Sequence, residues 1–152
     1  MRRAALLGAV ALLAAAGCGG SGKNKPLTLY TSNGWTITLD GHRATLYHYV
    51  GDRWVVDRSR AVRIAILGPK PNEVASNPPQ VAITMHSKKP LVESALWIDD
   101  LHLFEKGGGS PTNGTIYGAP ANALDPGTHV AVGYARTAFG GTAVAWTFTV
   151  RK

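Results

Sequence analysis

The chain has 152 residues, a formal net charge of +7, a hydrophobic fraction of 45% and a single cysteine. One cysteine excludes an internal disulfide framework. Roughly +5 remains by the reference ionisation states once Arg2 and Arg3 are set aside, too small an excess for a nucleic-acid footprint and better matched to anionic envelope material.

Met1-Arg2-Arg3 is a charged start, and the uncharged run from Ala4 to Gly17 after it is too short to span a membrane comfortably. It reads as a secretory signal. Ala15-Ala16-Gly17 directly precedes Cys18, and this stretch resembles the lipobox of bacterial lipoproteins, with Ala15 where the family usually has leucine. The resemblance implies that residues 1–17 are removed and that Cys18 carries a lipid. The expected location is then the cell membrane or outer membrane, lipid-anchored and facing outside the cytoplasm. Residues 18–26, rich in Gly and Ser with two lysines, read as a flexible tether. Attraction of those lysines to anionic headgroups is worth about 1 kcal/mol per basic residue near the surface.

From Leu27 to about residue 60 the sequence predicts a three-stranded β-meander. Trp35, Ile37 and Leu39 alternate with threonines, Asp40-Gly41 marks a hairpin turn, His42 to Val50 forms the next strand, and Gly51-Asp52 turns into Arg53–Asp57. So small a meander is marginal alone and is expected to pack against the C-terminal domain. On the middle strand, Tyr47 and Tyr49 face one way while Ala44, Leu46, His48 and Val50 face the other, and one set alone is core. Aromatic side chains left outside, from Trp35, Tyr47, Tyr49 and Trp54, form a candidate glycan-stacking surface; as ordinary strand formers they equally suit packing. Arg53, Arg58, Arg60 and Arg63 form the dense basic cluster of the chain, read as a solvated strand edge or as an anion-binding patch.

Residues 61–152 carry a second pattern. Val62 to Val74 and then Val81, Ile83 and Met85, alternating with Ala82, Thr84 and His86, give two strands separated by prolines. Leu96 to Leu103 is a third, broken by Asp99-Asp100. Glu105 to Gly114, with three consecutive glycines, reads as a long irregular segment before a strand from Thr115 to Ala121, where Pro120 hints at a sheet edge. Thr128 to Tyr134 and Val144 to Val150 form a closing hairpin, with Phe139-Gly140-Gly141-Thr142 as a turn whose glycines accept positive φ. The run Pro126-Gly127-Thr128-His129-Val130, the paired glycines and the final Trp146-Thr147-Phe148-Thr149-Val150 resemble the C-terminal hairpin of bacterial immunoglobulin-like domains. This resemblance implies an all-β, immunoglobulin-like sandwich, with Trp97, Trp146, Phe148, Val130, Val132, Ile83 and Ile64 in its core. It leaves the ligand open, since the architecture hosts many functions.

Catalytic signatures are sparse. Gly-x-Ser-x-Gly, Gly-x-x-x-x-Gly-Lys and His-Glu-x-x-His are all absent, the five histidines lack ligand spacing, and no metal or cofactor is expected. Asp99-Asp100 beside His102 is the one acid-base or metal candidate, and a turn explains it equally well. A triad assembled in three dimensions keeps an extracytoplasmic hydrolase open as an alternative. The favoured expectation is a non-catalytic, membrane-anchored envelope lipoprotein that binds a protein or a wall polymer, with a glycan-binding meander as another alternative and nucleic acid excluded as a partner.

Overall fold

The computed structural model describes residues 25–103 and 106–152; the predicted leader, Cys18, most of the predicted tether, Phe104 and Glu105 lie outside them. Among the described residues thirteen strands form three sheets, antiparallel but for one short parallel pair. The first is a meander of β1 (Leu27–Ser32), β2 (Trp35–Asp40), β3 (Arg43–Val50) and β4 (Arg53–Val56), one strand more than the sequence predicts. Its opening hairpin turns on Asn33-Gly34, both at positive φ as a type I′ turn requires. At the second hairpin Asp40 pairs with Arg43, so the turn residues are Gly41-His42 rather than Asp40-Gly41.

The remaining strands are β5 (Val62–Gly68), β6 (Val74–Ala75), β7 (Val81–Ser87), β8 (Leu91–Ile98), β9 (Leu101–His102), β10 (Lys106–Ser110), β11 (Asn113–Gly118), β12 (Gly127–Thr137) and β13 (Gly141–Val150). They divide into a β10-β11-β7-β5 sheet and a β6-β13-β12-β8-β9 sheet. Taken in chain order, this is the strand division of an immunoglobulin sandwich, with a four-stranded sheet facing one built on the third strand and the closing hairpin. The chain is therefore an all-β protein with an immunoglobulin-like sandwich.

The expected irregular segment, Glu105–Gly114, is strand from Lys106 onward, apart from its turn. Lys106–Ser110 pairs in register with Asn113–Gly118, so the glycines Gly107 to Gly109 are strand residues whose pairing rests on backbone bonds. The strand predicted from Thr115 to Ala121 starts earlier and stops at Gly118, and the sheet edge falls to β10 rather than to the Pro120 segment. The third strand likewise begins at Leu91, not Leu96.

Two cores result, one on each face of the β6-β13-β12-β8-β9 sheet. Between the sandwich sheets lie Val81, Ile83, Met85, Leu96, Ile98, Trp146, Phe148 and Val150. The Trp146 indole N–H donates to the Pro69 carbonyl at 2.8 Å, so this large ring is buried without an orphan donor. The second core joins Ile37, Leu39 and Leu46 of the meander to Ala95, Trp97, Val132 and Tyr134. Along β12, Ala131 and Ala135 face the sandwich, and Gly133 does too, since a Cβ there would meet Ile83 Cδ1 at 3.0 Å. Val130 and Val132 therefore pack against the meander instead of filling the sandwich, and Trp97 joins them there. Ile64 and Val130 are only partly buried. The middle sheet is apolar on both faces because both are covered.

The paired glycines before β13 also have a different cause from the expected one. Neither Gly140 nor Gly141 is at positive φ. They are small because the meander and its linker press on them: a Cβ on Gly140 would lie 2.2 Å from Ser59 Oγ, and one on Gly141 would lie 2.8 Å from Arg136 Cβ and 2.9 Å from Leu46 Cδ2. Gly141→Ala is expected to cost about 1–3 kcal/mol through overpacking and to lower the urea midpoint accordingly. An unchanged midpoint would mean that Leu46 and Arg136 part without strain.

Candidate functional site

Where the meander meets the sandwich, β3, the linker after β4, β5 and the start of β13 enclose an open groove of about 1180 Å³. Four arginines line it: Arg43 opens β3, Arg58 and Arg60 stand on the linker, and Arg63 is the second residue of β5. None of the four guanidinium groups has a hydrogen-bonding or ionic partner among the described residues. Tyr47, half-buried, lies on the same face of β3 as Arg43, and the cross-strand pair Thr38–Thr45 adds hydroxyls.

The linker that carries Arg58 and Arg60 is held by its own acid. Asp57 Oδ1 accepts the Ser59 N–H at 2.7 Å and Oδ2 accepts the Gly141 N–H at 2.8 Å, while the Asp57 N–H donates to the Leu46 carbonyl at 2.8 Å. Both oxygens of this carboxylate are thus committed to the backbone and not to the arginines. Arg60 adopts φ 50°, a left-handed conformation uncommon for a non-glycine residue. Thr142 Oγ1 donates to the Val62 carbonyl at 2.6 Å, tying β13 to the far end of the linker. The arginines therefore stand on a fixed backbone.

The other sequence-predicted site residues separate. Tyr49 and Trp54 are cross-strand neighbours on the outer face of the meander, 49% and 44% exposed, with ring centroids 5.2 Å apart in an edge-on arrangement. Trp35 lies on the opposite face, 5.3 Å from the His48 ring. There the Arg136 guanidinium covers it at 5.5 Å, an arrangement that favours a cation over an indole face. Arg53 is exposed beside the Gly51-Asp52 turn, away from the groove. Of the candidate set, Tyr47, Arg58 and Arg60 line the groove, Tyr49 and Trp54 lie next along the same outer face of the meander, since Arg43, Tyr47 and Tyr49 share one parity on β3, and Trp35 is an inner packing residue. Cys18 lies outside the described residues. Arg43 was not singled out by sequence; its signal is the shared parity with Tyr47 on one strand.

Arg136 also belongs to a structural lock. Its Nε donates to Glu93 Oε2 at 2.6 Å, and the Tyr134 hydroxyl donates to the same oxygen at 3.3 Å. Burial and the Glu93 charge hold the Tyr134 phenol well above its usual range, so it stays a donor.

Asp99-Asp100 is the predicted turn, with Asp99 at φ 55°. Asp99 Oδ1 accepts the Val130 N–H at 2.9 Å, and Oδ2 pairs with His129 Nδ1 at 2.8 Å, while His129 Nε2 reaches the Asp125 carbonyl at 2.8 Å. With both ring nitrogens engaged by acceptors, none is left to take a proton from a nucleophile. The His102 ring lies tilted against Trp97, with centroids 5.3 Å apart. No group of three metal-ligating side chains occurs among the described residues.

Burial lowers the His129 pKa, but the hydrogen bonds to Asp99 and to the Asp125 carbonyl, with the charges of both acids, outweigh it, and the net shift is upward from 6.5. A raised folded-state value means that this contact contributes fully below pH 6.5 and fades as pH rises through the folded value. The denaturant midpoint of the native protein should therefore fall between pH 6 and 8 relative to that of His129→Gln. The change is about 1 kcal/mol or less, because Asp99 is half exposed and solvent screens the pair. Parallel profiles for the two proteins would contradict the assignment.

The chain matches no family model and no curated protein. Among solved structures, a titin–obscurin-like 1 Ig complex is similar at 19% identity and a TM-score of 0.37, over 59% of this chain and 94% of that one.

Proposed function

We propose that this chain is a non-catalytic, lipid-anchored envelope protein that holds an anionic wall polymer in the arginine groove. The convergence of four unpaired arginine side chains, Arg43 on β3, Arg63 on β5, and Arg58 and Arg60 on a linker fixed by Asp57, is the observation that carries the reading. Guanidinium groups match carboxylate and phosphate in a planar, two-pronged geometry. Two carboxylates line the groove: Asp57 is held by backbone amides, and Asp40, across the strand pair from Arg43, makes no ion pair with the arginines. The anchor rests on the sequence from Met1 to Cys18, where a diacylated cysteine gives stable attachment that one acyl chain does not. A protein partner in place of a polymer, or an extracytoplasmic hydrolase, are the competing outcomes.

The exposed Tyr49–Trp54 pair favours a second reading, in which a neutral glycan stacks on the outer face of the meander. Co-sedimentation with purified cell wall separates the two. Arg58→Gln/Arg60→Gln should abolish sedimentation if the groove is the site, whereas Trp54→Ala should do so if the aromatic pair is. Retention of binding by the arginine variant rules the groove out. For the anchor, Cys18→Ser is expected to leave the protein unprocessed or to release it from membranes, and an unmodified mature N-terminus in the native protein, read by mass spectrometry, would rule lipidation out.

A further inference from the structure

Arg63 has two settings. It lines the groove, and it also begins a row of side chains across the outer face of the β10-β11-β7-β5 sheet, since Arg63 pairs with His86, His86 with Asn113, and Asn113 with Ser110. All four are exposed, and His86 and Asn113 are joined by a hydrogen bond. At ordinary strand spacing the row runs about 14 Å from the groove to the sheet edge.

Beside this row lies a second, of short residues: Ala65, Thr84, Thr115 and Gly108 are successive cross-strand partners. The height difference makes a trough of about 420 Å³ walled by Arg63, His86 and Asn113. Beyond the short row, Tyr117 shares the face of Thr115 and is 38% exposed. A Cβ on Gly108 would meet nothing within 4 Å, so its lack of a side chain is not required by packing. None of the four strands contains a carboxylate. Hydroxyl, amide and imidazole groups that both donate and accept suit the hydroxyls of a sugar chain, and the uninterrupted absence of acid suits a negative one.

We infer that this trough is a second subsite continuous with the arginine groove, and that the ligand is an extended anionic polysaccharide lying across both. The inference rests on the groove reading above and adds the chemical class and length of the occupant. The groove holds the charged groups of one part of the chain, and the trough takes the hydroxyl-bearing rings next along it. A short oligomer fills the groove alone; a long one gains the second contact at no further cost of association, so affinity rises with chain length.

The test is calorimetric titration of the full-length protein in detergent micelles with digalacturonate and with octagalacturonate. The octamer is expected to bind about tenfold or more tightly than the dimer, the gain of a linked second contact. Gly108→Trp, which plugs the trough from an open position, and His86→Ala/Asn113→Ala, both at exposed sites, should each bring the octamer to the affinity of the dimer and leave the dimer unchanged. Equal affinities for the two oligomers, or sheet variants that leave octamer binding intact, would overturn the second subsite while the groove reading stood. Failure of both oligomers to bind the native protein would overturn the groove reading and this inference together.

Discussion

Trp97→Ala is expected to destabilise the protein by about 3–5 kcal/mol, the cost of removing a fully buried indole. Trp97 is 1% exposed and stands in the core between the middle sheet and the meander, 6.5 Å from the Tyr134 ring. Because the middle sheet is shared, the loss reaches both cores: Val132 and Tyr134, which face the meander, alternate along β12 with Ala131, Gly133 and Ala135, which face the sandwich. The variant should therefore unfold in one transition at a lower denaturant concentration, as should Ile83→Ala from the opposite core at about 2–5 kcal/mol. Two resolved transitions for Trp97→Ala, with the sandwich retaining its native midpoint, would show that the meander is an appendage and not a third layer.

Which parts of this arrangement are legible in the sequence depends on whether a strand has one wet face. Val81, Ile83 and Met85 alternate with smaller or polar residues and are buried as their pattern predicts, and Trp146, Phe148 and Val150 behave likewise. In β12 the alternation gives no answer, because apolar residues occupy both parities and both are buried. The larger side chains, Val130 and Val132, look like the sandwich core; they belong to the meander interface, where the space for them exists. Gly107 to Gly109 mislead for the opposite reason. They carry no side chain to display a period, and their pairing with β11 is a property of backbone alone.

The groove is half legible for a related reason. Arg58, Arg60 and Arg63 are close in sequence and stand out as a cluster, but their use as a solvated edge or as a site depends on what lies opposite. Arg43 and Tyr47 are brought there by the return of the chain through β3 and β4, and Asp57 is withdrawn from the arginines by two backbone amides. Beyond the shared parity of Arg43 and Tyr47, neither fact has a local sequence signal. The aromatic set fails as a unit because Trp35 occupies the opposite sheet face from Tyr49 and Trp54, a separation fixed by the register Trp35–His48 and Tyr49–Trp54.

The second large effect concerns binding. Arg58→Gln/Arg60→Gln/Arg63→Gln removes three of the four groove cations and leaves Asp57 with its backbone partners, so the fold should persist. At about 1 kcal/mol for each partly exposed ion pair, affinity for an anionic polymer should fall roughly 100-fold. Arg53→Gln/Arg151→Gln/Lys152→Gln removes the same charge from exposed positions outside the groove and serves as the control. A few-fold loss is expected there, since long-range attraction between exposed charges is largely screened at physiological salt.

Titration of octagalacturonate into the native protein and these two variants, repeated at low and physiological salt, therefore decides whether the groove is the binding site. Saturable binding by the native protein is expected, with near-complete loss in the groove variant at both salt concentrations and a small loss in the control that vanishes as salt is raised. Equal weakening of the two variants would contradict the groove, because binding would then track net charge and not the place where Arg58, Arg60 and Arg63 converge.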